Sequence, residues 1–342
     1  MARVLGVGMV GLGMAVAPHA LALRDFEGAG RARFIGGFSP SAERRTAFAA
    51  RWQAPVFDRL EALLAAPDLD LVLVLTPPAA HLPVAEAAAA AGKHLLVEKP
   101  LEFDLARAEA LVSMAERAGV TLGVVFQHRF RPAALRLKAA LEAGLLGDPL
   151  SASATIRWWR DANYFAQPGR GMKARDGGGV LLTQAIHTID LLLHLMGPVA
   201  EVAAFARTSP LRAIDTEDIV AATLRFAGGA IGTLDATTVA RPGFPERIEI
   251  AGTRGSAMLV AERLELHAEG GSPEIIDHGN AGGGGADPMA FDHGPHRTLH
   301  AEMLDAIVEG REPRNSGASA LGVQRLIGAL LRAAGEGRFV TL

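Results

Sequence analysis

The segment VLGVGMVGLGMAV, residues 4–16, joins a short apolar run to two closely spaced glycines. The run 4–10 is typical of a buried strand, and a helical pattern follows from Met14. Between them, Gly11 and Gly13 would let the backbone turn tightly and approach a pyrophosphate at a helix N-terminus. The segment therefore predicts a dinucleotide-binding turn, although ordinary turn chemistry would also explain the two glycines.

The same segment contains a complete G-x-G-x-x-G spacing at Gly6, Gly8 and Gly11. We reject this spacing as the binding turn, because Gly6 and Gly8 would lie inside the strand, where their amides belong to the sheet. Val16 then stands where a third glycine is usual. The predicted pyrophosphate contacts are Gly11, Leu12, Gly13 and Met14.

Repeats of this strand and helix pattern continue to about residue 127. The further apolar runs cover residues 33–38, 71–75, 94–97 and 120–126. The helical stretches cover residues 14–24, 41–52, 59–65, 80–92 and 104–118. Strands that alternate with helices predict an α/β domain built on a parallel sheet, and we place this domain at residues 1–128.

The pattern changes after Pro132, where strands begin to follow one another. A helix near 134–142, an alternating run at 151–160 and one helix over about 181–196 come first. The later strand-like runs are 199–206, 219–226, 230–237, 247–251, 257–260 and 264–268, and helices at 296–308 and 318–334 follow. Successive strands with glycine-containing turns predict a mostly antiparallel sheet in an α+β domain, residues 129–342. The glycine-rich loop 270–288 is either a lid or, more simply, a flexible connection.

Composition excludes several classes of protein. The 342 residues are enough for two cores. A formal net charge of -3, with charges of both signs interspersed, leaves no electrostatic footprint for nucleic acid or for an anionic membrane. No cysteine is present, so thiolate catalysis and cysteine-ligated metal sites are excluded. Because the first residues lack the pattern of a signal peptide and no uncharged run is long enough to span a bilayer, we expect a cytoplasmic protein.

The loop after the second strand bears on the choice of cofactor. An NAD-selective site would place an acidic residue there, but the sequence reads Phe38-Ser39-Pro40-Ser41. Ser39 and Ser41 could donate to a 2′-phosphate, and Arg44 or Arg45 could neutralise it. A capped helix with solvated arginines explains the same residues equally well. NAD or NADP is therefore predicted, with a slight preference for NADP.

Two further strands end in motifs with proline. The first is Thr76-Pro77-Pro78, followed by His81, and the second is Glu98-Lys99-Pro100. Proline pins each loop at the carboxyl edge of the sheet, where ligands of parallel sheets collect. A lysine in this place needs a partner for its ammonium group, which a substrate hydroxyl or Glu98 would supply. Lys99 is therefore either a functional residue or a rim lysine paired with Glu98.

The segment 176–190 carries the second group of candidates. It joins three glycines to a predicted helix on which Thr183, His187 and Asp190 share one face. A neutral histidine there could take the proton of a carbinol as hydride leaves, although a buried structural histidine is the commoner case. Further histidines, His194 and those among residues 292–300, suggest metal ligands only weakly, and no metal site is predicted.

Taken in order, these motifs resemble the glucose-fructose oxidoreductase and inositol dehydrogenase (Gfo/Idh/MocA) family over nearly the whole chain. The resemblance implies a Rossmann domain followed by an open-faced antiparallel sheet domain, through which members often form dimers or tetramers. It places Lys99 and His187 beside the nicotinamide. The residues that it implies for framing the cofactor and substrate are Thr76, Pro77, His81, Glu98 and Gln127.

A narrower resemblance, to a subgroup that includes UDP-linked N-acetyl-aminoglucuronate dehydrogenases, comes from the segments 127–130, 157–160 and 163–165 and from Arg170 and Gln184. Arginine and tryptophan suit a polar sugar that bears negative charge. Many relatives carry an acid where Thr183 stands, which argues against an inositol-dehydrogenase-like proton relay. The implied substrate contacts are Arg129, Trp159, Arg160, Tyr164, Arg170, Thr183, Gln184 and His187.

The resulting prediction is an NAD(P)-dependent oxidoreductase that oxidises a secondary hydroxyl of a sugar. His187 is the predicted acid/base, and Lys99 would orient the hydroxyl and stabilise developing negative charge. Two alternatives remain open, an NAD-dependent glycoside hydrolase of the same architecture and a non-catalytic nucleotide sensor. The sequence does not identify the sugar or the carbon that reacts.

Overall fold

The structure is a computed structural model that describes residues 3–279 and 292–342. It divides into two compact units, Met1–Val125 with His293–Leu321 and Phe126–Asp292 with Gly322–Leu342. The first division lies close to the domain boundary predicted after His128. The return of residues 293–321 to the first unit was not predicted, because helical periodicity does not show which core a helix joins.

The first unit contains a parallel sheet, which in the described residues has the strand order β3-β2-β1-β4-β5-β6. Its strands are β1 Leu5–Val10, β2 Ala32–Phe38, β3 Val56–Phe57, β4 Leu69–Val74, β5 His94–Val97 and β6 Leu122–Val124. Its helices are α1 Val16–Gly28, α2 Ala42–Trp52, α3 Leu60–Leu64, α4 His81–Ala90, α5 Leu105–Ala118 and α11 Gly294–Glu309. The predicted Rossmann-type architecture is confirmed.

The central strands of this sheet are mostly apolar and buried. All six residues of β1 are buried, as a strand enclosed on both sides requires. Pairing aligns Val10 with Val74 and Val74 with Val97. The loops that follow β1, β4 and β5 therefore leave the sheet at the same edge.

The second unit contains a mostly antiparallel sheet, which in the described residues has the strand order β14-β13-β12-β11-β7-β10-β9-β8-β15. The β7–β10 pair is parallel. Its strands are β7 Pro149–Arg157, β8 Val199–Arg207, β9 Ile219–Phe226, β10 Ile231–Thr237, β11 Arg247–Gly252, β12 Gly255–Val260, β13 Arg263–Ala268, β14 Glu274–Asp277 and β15 Val340–Thr341. The helices of this unit are α6 Pro132–Glu142, α7 Ala162–Phe165, α8 Lys173–Asp176, α9 Val180–Thr183 and α10 Ile186–Met196, and α12 Gly317–Glu336 begins in the first unit.

Helices cover one face of this sheet and leave the other open. α6, α9 and α10 pack against its strands. Along β9, buried residues such as Val220 and Leu224 alternate with exposed residues such as Ala221 and Thr223. This period of two is the pattern of an antiparallel sheet with one buried face, so the open-faced sheet is confirmed.

Two predictions about local structure were wrong. The single helix over 181–196 is two helices, because α9 ends at Thr183 and α10 begins at Ile186. The 46° bend between the segments Lys173–Thr183 and Ile186–Met196 removes Thr183 from the helix that carries His187. The predicted loop 270–288 contains the edge strand β14, whose pairing partner β13 supplies its hydrogen bonds. The part of this loop from residue 280 lies outside the described residues.

Within the described residues, no single helix is both long and apolar enough to cross a membrane. One bent pair of helical segments, Lys173–Thr183 with Ile186–Met196, has the length and apolar composition of a membrane span, and only these two properties suggest one.

Candidate functional site

The glycine turn after β1 has the geometry of a phosphate-binding turn. Gly11 has φ +101, and a Cβ at this residue would lie 2.6 Å from the carbonyl carbon of Leu75. Only glycine fits this close approach of two backbones. The helix α1 starts at Val16, and its cap, Ala15, has no side-chain acceptor for the first N–H groups. Those N–H groups suit an anionic ligand.

Gly6 and Gly8 lie inside β1, where they pair with both neighbouring strands. Of the other two predicted turn residues, Leu12 is buried and Met14 is 63% exposed. Leu12 therefore belongs to the packing of the turn.

The loop after β2 brings Arg44 to the glycine turn. The Nη1 atom of Arg44 is the nearest group to a Cβ built on Gly13, at 3.9 Å. Ser41 caps α2, with its hydroxyl accepting the Arg44 N–H at 3.2 Å. The hydroxyl of the buried Ser39 accepts the N–H of Ser41, and Arg45 donates to the Ser39 carbonyl at 2.6 Å. Arg45 thus holds the loop, whereas Arg44 is exposed beside the turn.

The loop after β4 is held by His81, which is fully buried. Its Nε2 lies 2.8 Å from the carbonyl oxygen of Thr76, and its Nδ1 lies 3.1 Å from that of Leu101. Burial lowers the pKa of His81, and the two carbonyls oppose that shift. Within the residues that the structure describes, the buried Oγ1 of Thr76 has no hydrogen-bond partner. A ligand could therefore form a hydrogen bond with this hydroxyl. Pro77, beside it, is exposed at this edge.

Both carboxylate oxygens of Glu98 form hydrogen bonds within the protein. Its Oε1 lies 3.0 Å from Nε2 of His19, and its Oε2 accepts the backbone N–H of Lys99 at 3.0 Å. Burial alone would raise the pKa of Glu98, but the hydrogen bond from His19 and the nearby His296 and Lys99 hold it below its ordinary value. Glu98 is therefore a carboxylate that fixes the backbone at Lys99.

In the second unit, His187 lies near the start of α10 among aromatic rings. Its ring stacks on that of His128 with centroids 4.7 Å apart, and Phe126 meets it edge-on at 6.1 Å. The residue is 8% exposed. Nearby in sequence, the buried Oε1 of Gln127 meets no donor among the described residues.

Arg129, a predicted substrate residue, is taken up by an internal ion pair. Its Nε donates to Oδ2 of Asp190 at 2.7 Å, and its Nη2 donates to Oδ1. Both side chains are buried. Burial raises the pKa of Asp190, and Arg129 counteracts that rise. We therefore propose that Arg129 supports α10 through this ion pair and does not contact the substrate.

The remaining polar candidates gather around Tyr164. Gln184 donates to the Tyr164 hydroxyl at 2.9 Å, and the Thr183 hydroxyl lies 2.5 Å from the Gln184 side-chain oxygen. The guanidinium carbons of Arg160 and Arg170 lie 5.5 and 5.1 Å from the Tyr164 ring. Burial lowers the pKa of Arg160. The structure therefore brings together five of the predicted substrate residues in one cluster, which we call the Tyr164 cluster.

Sequence reasoning missed two arginines beside the remaining predicted contact, Trp159. Arg241 lies 4.1 Å and Arg212 lies 5.4 Å from its ring centroid. Arg212 also pairs with the buried Asp218 at 3.0 Å. No local pattern marks these arginines, because they stand more than 50 residues from Trp159 in the chain and only the fold brings them to it.

The family models match both halves of this arrangement. Residues 5–126 match an oxidoreductase family with an NAD-binding Rossmann fold, and residues 134–258 match the GFO/IDH/MocA C-terminal domain. The chain belongs to the Gfo/Idh/MocA family. Membership confirms the predicted class, an oxidoreductase with an NAD-binding Rossmann domain.

Similar members of the family cover almost the full chain. D-apiose dehydrogenase of Paraburkholderia graminis is 29% identical over 350 residues, which is 98% of this chain and 88% of that protein. The WlbA dehydrogenase of Bordetella pertussis, in complex with NADH and UDP-GlcNAcA, has a TM-score of 0.85 at 27% identity and 99% coverage of both chains. A levoglucosan dehydrogenase in complex with NADH has a TM-score of 0.88 at 26% identity, also with 99% of both chains covered.

The Arg129–Asp190 pair gives a prediction that separates support of the fold from substrate binding. Replacing Arg129 with Met leaves a buried carboxylate unpaired and should lower the free energy of unfolding by about 3–5 kcal/mol. Because burial already raises the pKa of Asp190, the loss should grow from about pH 5 to about pH 8, as ionisation of the unpaired acid becomes costlier. Chemical denaturation at the two pH values measures this.

The double variant Arg129→Met/Asp190→Leu is the control. It removes both charges, and its stability should return most of the way to that of the wild type. Dehydrogenase activity should return with it. A stable double variant whose KM for the substrate has risen sharply would restore Arg129 to the substrate-binding set.

Proposed function

We propose that this protein is an NAD(P)-dependent sugar dehydrogenase that oxidises a secondary hydroxyl to a ketone. The observation that carries the proposal is that the glycine turn Gly11 to Met14, before α1, and Lys99, whose backbone N–H is held by Glu98, lie at the same edge of the sheet. The similar dehydrogenases act on D-apiose, on levoglucosan and, from the bound ligand, on a UDP-linked sugar acid. These names support a sugar as the substrate class.

The first unit fits a dinucleotide. The cradle around Gly11 excludes a side chain, the N-terminus of α1 has no side-chain cap, and Thr76 keeps an unsatisfied buried hydroxyl among the described residues. When bound, the nicotinamide accepts the hydride. The proposed contacts of this chain are Gly11, Gly13, Met14, Ser39, Arg44, Thr76, Pro77 and Gln127, and Leu12, His81 and Glu98 shape the loops that carry them.

Two side chains are proposed to act on the substrate hydroxyl. Lys99 would orient the hydroxyl through its ammonium group and stabilise the negative charge that develops on oxygen. His187 would take the hydroxyl proton, since an imidazole titrates near neutral pH. Stacking on His128 restrains the plane of the His187 ring, which helps to position a general base.

The Tyr164 cluster and Trp159 are the proposed sugar contacts. Two cationic side chains, Arg160 and Arg170, lie over the Tyr164 ring, while Gln184 and Thr183 add hydrogen-bonding groups. Aromatic faces and amide groups suit a sugar ring, and guanidinium groups suit a carboxylate or phosphate. We therefore propose a sugar that carries an acidic group as the preferred substrate.

The function is tested by measuring the reduction of NAD and NADP, from the near-ultraviolet absorbance of the reduced nicotinamide, with free sugars, uronic acids, inositols and UDP-sugars. We expect reduction with one sugar class. With that sugar, Lys99→Ala and His187→Ala should each lower kcat by about 100-fold or more while the Kd of the cofactor stays nearly unchanged. Near-normal turnover in both variants would refute the roles assigned here, and no reduction of cofactor with any sugar would refute the dehydrogenase.

For the cofactor, we propose that both NAD and NADP are accepted, with a slight preference for NADP. Arg44 lies beside the glycine turn, and no acidic residue occupies residues 38–41. Arg44→Ala should lower kcat/KM for NADP by about tenfold or more, because one charge-assisted contact is lost, and should leave NAD nearly unaffected. Arg51→Ala, at the other end of α2, is the matched control. An equal loss with both cofactors would contradict this role.

We also propose a homo-oligomer, a dimer or tetramer, formed through the open face of the second unit's sheet. Phe205 is 84% exposed and Ile231 is 63% exposed on that face. Large apolar side chains exposed on one face of a sheet favour burial of that face against a second copy. Light scattering after size exclusion should show an oligomer that Phe205→Asp with Ile231→Asp dissociates. Leu211→Asp, at an exposed site outside the strands, should not. A monomeric wild type would exclude the proposal.

A further inference from the structure

Three buried histidines of the first unit form a cluster that contacts Glu98 through His19. His19 comes from α1, and His296 and His300 come from successive turns of α11. The ring centroids of His296 and His300 lie 5.2 and 5.1 Å from that of His19. All three side chains are almost completely shielded from solvent. The proposed function uses none of these residues.

Hydrogen bonds connect two of these histidines to the backbone of Lys99. His300 Nε2 lies 2.8 Å from His19 Nδ1, and His19 Nε2 lies 3.0 Å from Oε1 of Glu98. The other carboxylate oxygen of Glu98 accepts the N–H of Lys99 at 3.0 Å. A continuous chain therefore runs from α11, through α1, to the residue proposed to orient the substrate.

The direction of the central bond follows from the charges. Glu98 is ionised, because hydrogen bonding to His19 and the nearby charges outweigh the effect of burial on its pKa. A carboxylate only accepts, so Nε2 of His19 must donate. Burial, with His19 and His296 adding to it, holds the pKa of His300 well below its ordinary value, and His300 is neutral. With one proton on each ring, Nε2 of His300 donates to Nδ1 of His19, and Nε2 of His19 donates to Glu98. The opposite direction between the two histidines would require protons on both ring nitrogens of His19.

We propose that His19 and His300 are positioning residues for Lys99, and that they act through the Glu98 carboxylate. Two donors on different oxygens hold Glu98 in one rotamer, and that rotamer holds the Lys99 amide. Without the His19 donor, the carboxylate would turn toward other donors or water and the loop would shift. A displacement of about 1 Å at a reacting group can cost about 100-fold in rate. The effect on catalysis rests on the proposed role of Lys99, whereas the effect on the amide does not.

A divalent metal is the competing occupant of this cluster. Ligand atoms of His19, Glu98 and His296 lie within 4.8 Å of one another, and imidazole with carboxylate suits such ions. A metal bound to His19 Nε2 would replace the proton that this atom donates to Glu98. The hydrogen-bonded chain and a metal site are therefore mutually exclusive at His19.

The first test follows the Lys99 amide by hydrogen–deuterium exchange and needs no substrate. In His19→Leu, exchange of the peptide that contains Lys99 should be faster by about tenfold or more, because its acceptor is no longer held. In His19→Gln, whose amide nitrogen can replace Nε2 as the donor, exchange should stay close to the wild-type rate. His94→Leu, at the opposite end of β5, is the matched control and should not change this peptide.

The second test measures steady-state kinetics with the sugar that the wild type oxidises. His19→Leu should lower kcat by about 10-fold to 100-fold with little change in cofactor Kd, and His19→Gln should recover most of the loss. In a Glu98→Gln background, His19→Leu should have almost no further effect, because the two residues act in series. His300→Leu should reproduce a smaller part of the loss.

Three results would overturn the inference. The first is unchanged exchange of the Lys99 peptide in His19→Leu, and the second is a full His19→Leu effect that persists in the Glu98→Gln background. The third is about one metal ion per chain in the purified wild type that His19→Leu releases, since that would assign the cluster to metal binding. If no sugar is oxidised, the exchange experiment still tests the contact, so failure of the proposed function is recognised separately.

Discussion

The parallel register of β1, β4 and β5 is the constraint on which the first unit depends. Val10, Val74 and Val97 lie side by side, so the chain leaves all three strands at one edge. Gly11, Thr76 and Glu98 stand within two residues of those strand ends, although up to 87 residues separate them in the chain. Parallel pairing alone brings the glycine turn and the two proline-containing loops together. The close approach of Gly11 to Leu75 then makes glycine necessary there.

Buried polar groups in each unit mostly pair with one another or with the backbone, because an unsatisfied polar group is costly away from water. His81 meets two backbone carbonyls, Glu98 meets His19 and the Lys99 amide, and Arg129 meets Asp190. These residues belong to recognisable motifs, yet their polar atoms point into the protein. A motif residue therefore often places the reacting groups and does not itself touch the ligand.

The second unit depends on a different constraint, the unequal treatment of the two faces of its sheet. Helices α6, α9 and α10 cover one face, and alternating side chains along β9 divide into buried and exposed sets. The break between α9 and α10 also belongs to the covered side. There the Thr183 hydroxyl donates to the Gly179 carbonyl at 2.7 Å and lies beside Gln184. Because of the break, Thr183 of the Tyr164 cluster lies on α9, whereas His187 lies on α10.

The sequence by itself determined the fold class and the family, because strand and helix periodicity, the Gly11–Gly13 turn and the Glu98–Lys99–Pro100 motif are local signals. It also indicated the polar residues that the structure gathers around Tyr164. Only the tertiary structure decided which of these side chains remain available to a ligand. Arg129 is neutralised by Asp190, 61 residues away, and His300 reaches His19 across 281 residues of sequence. Pairing between distant buried groups leaves no trace in local periodicity, since it is set by packing and by the cost of burying unpaired charge.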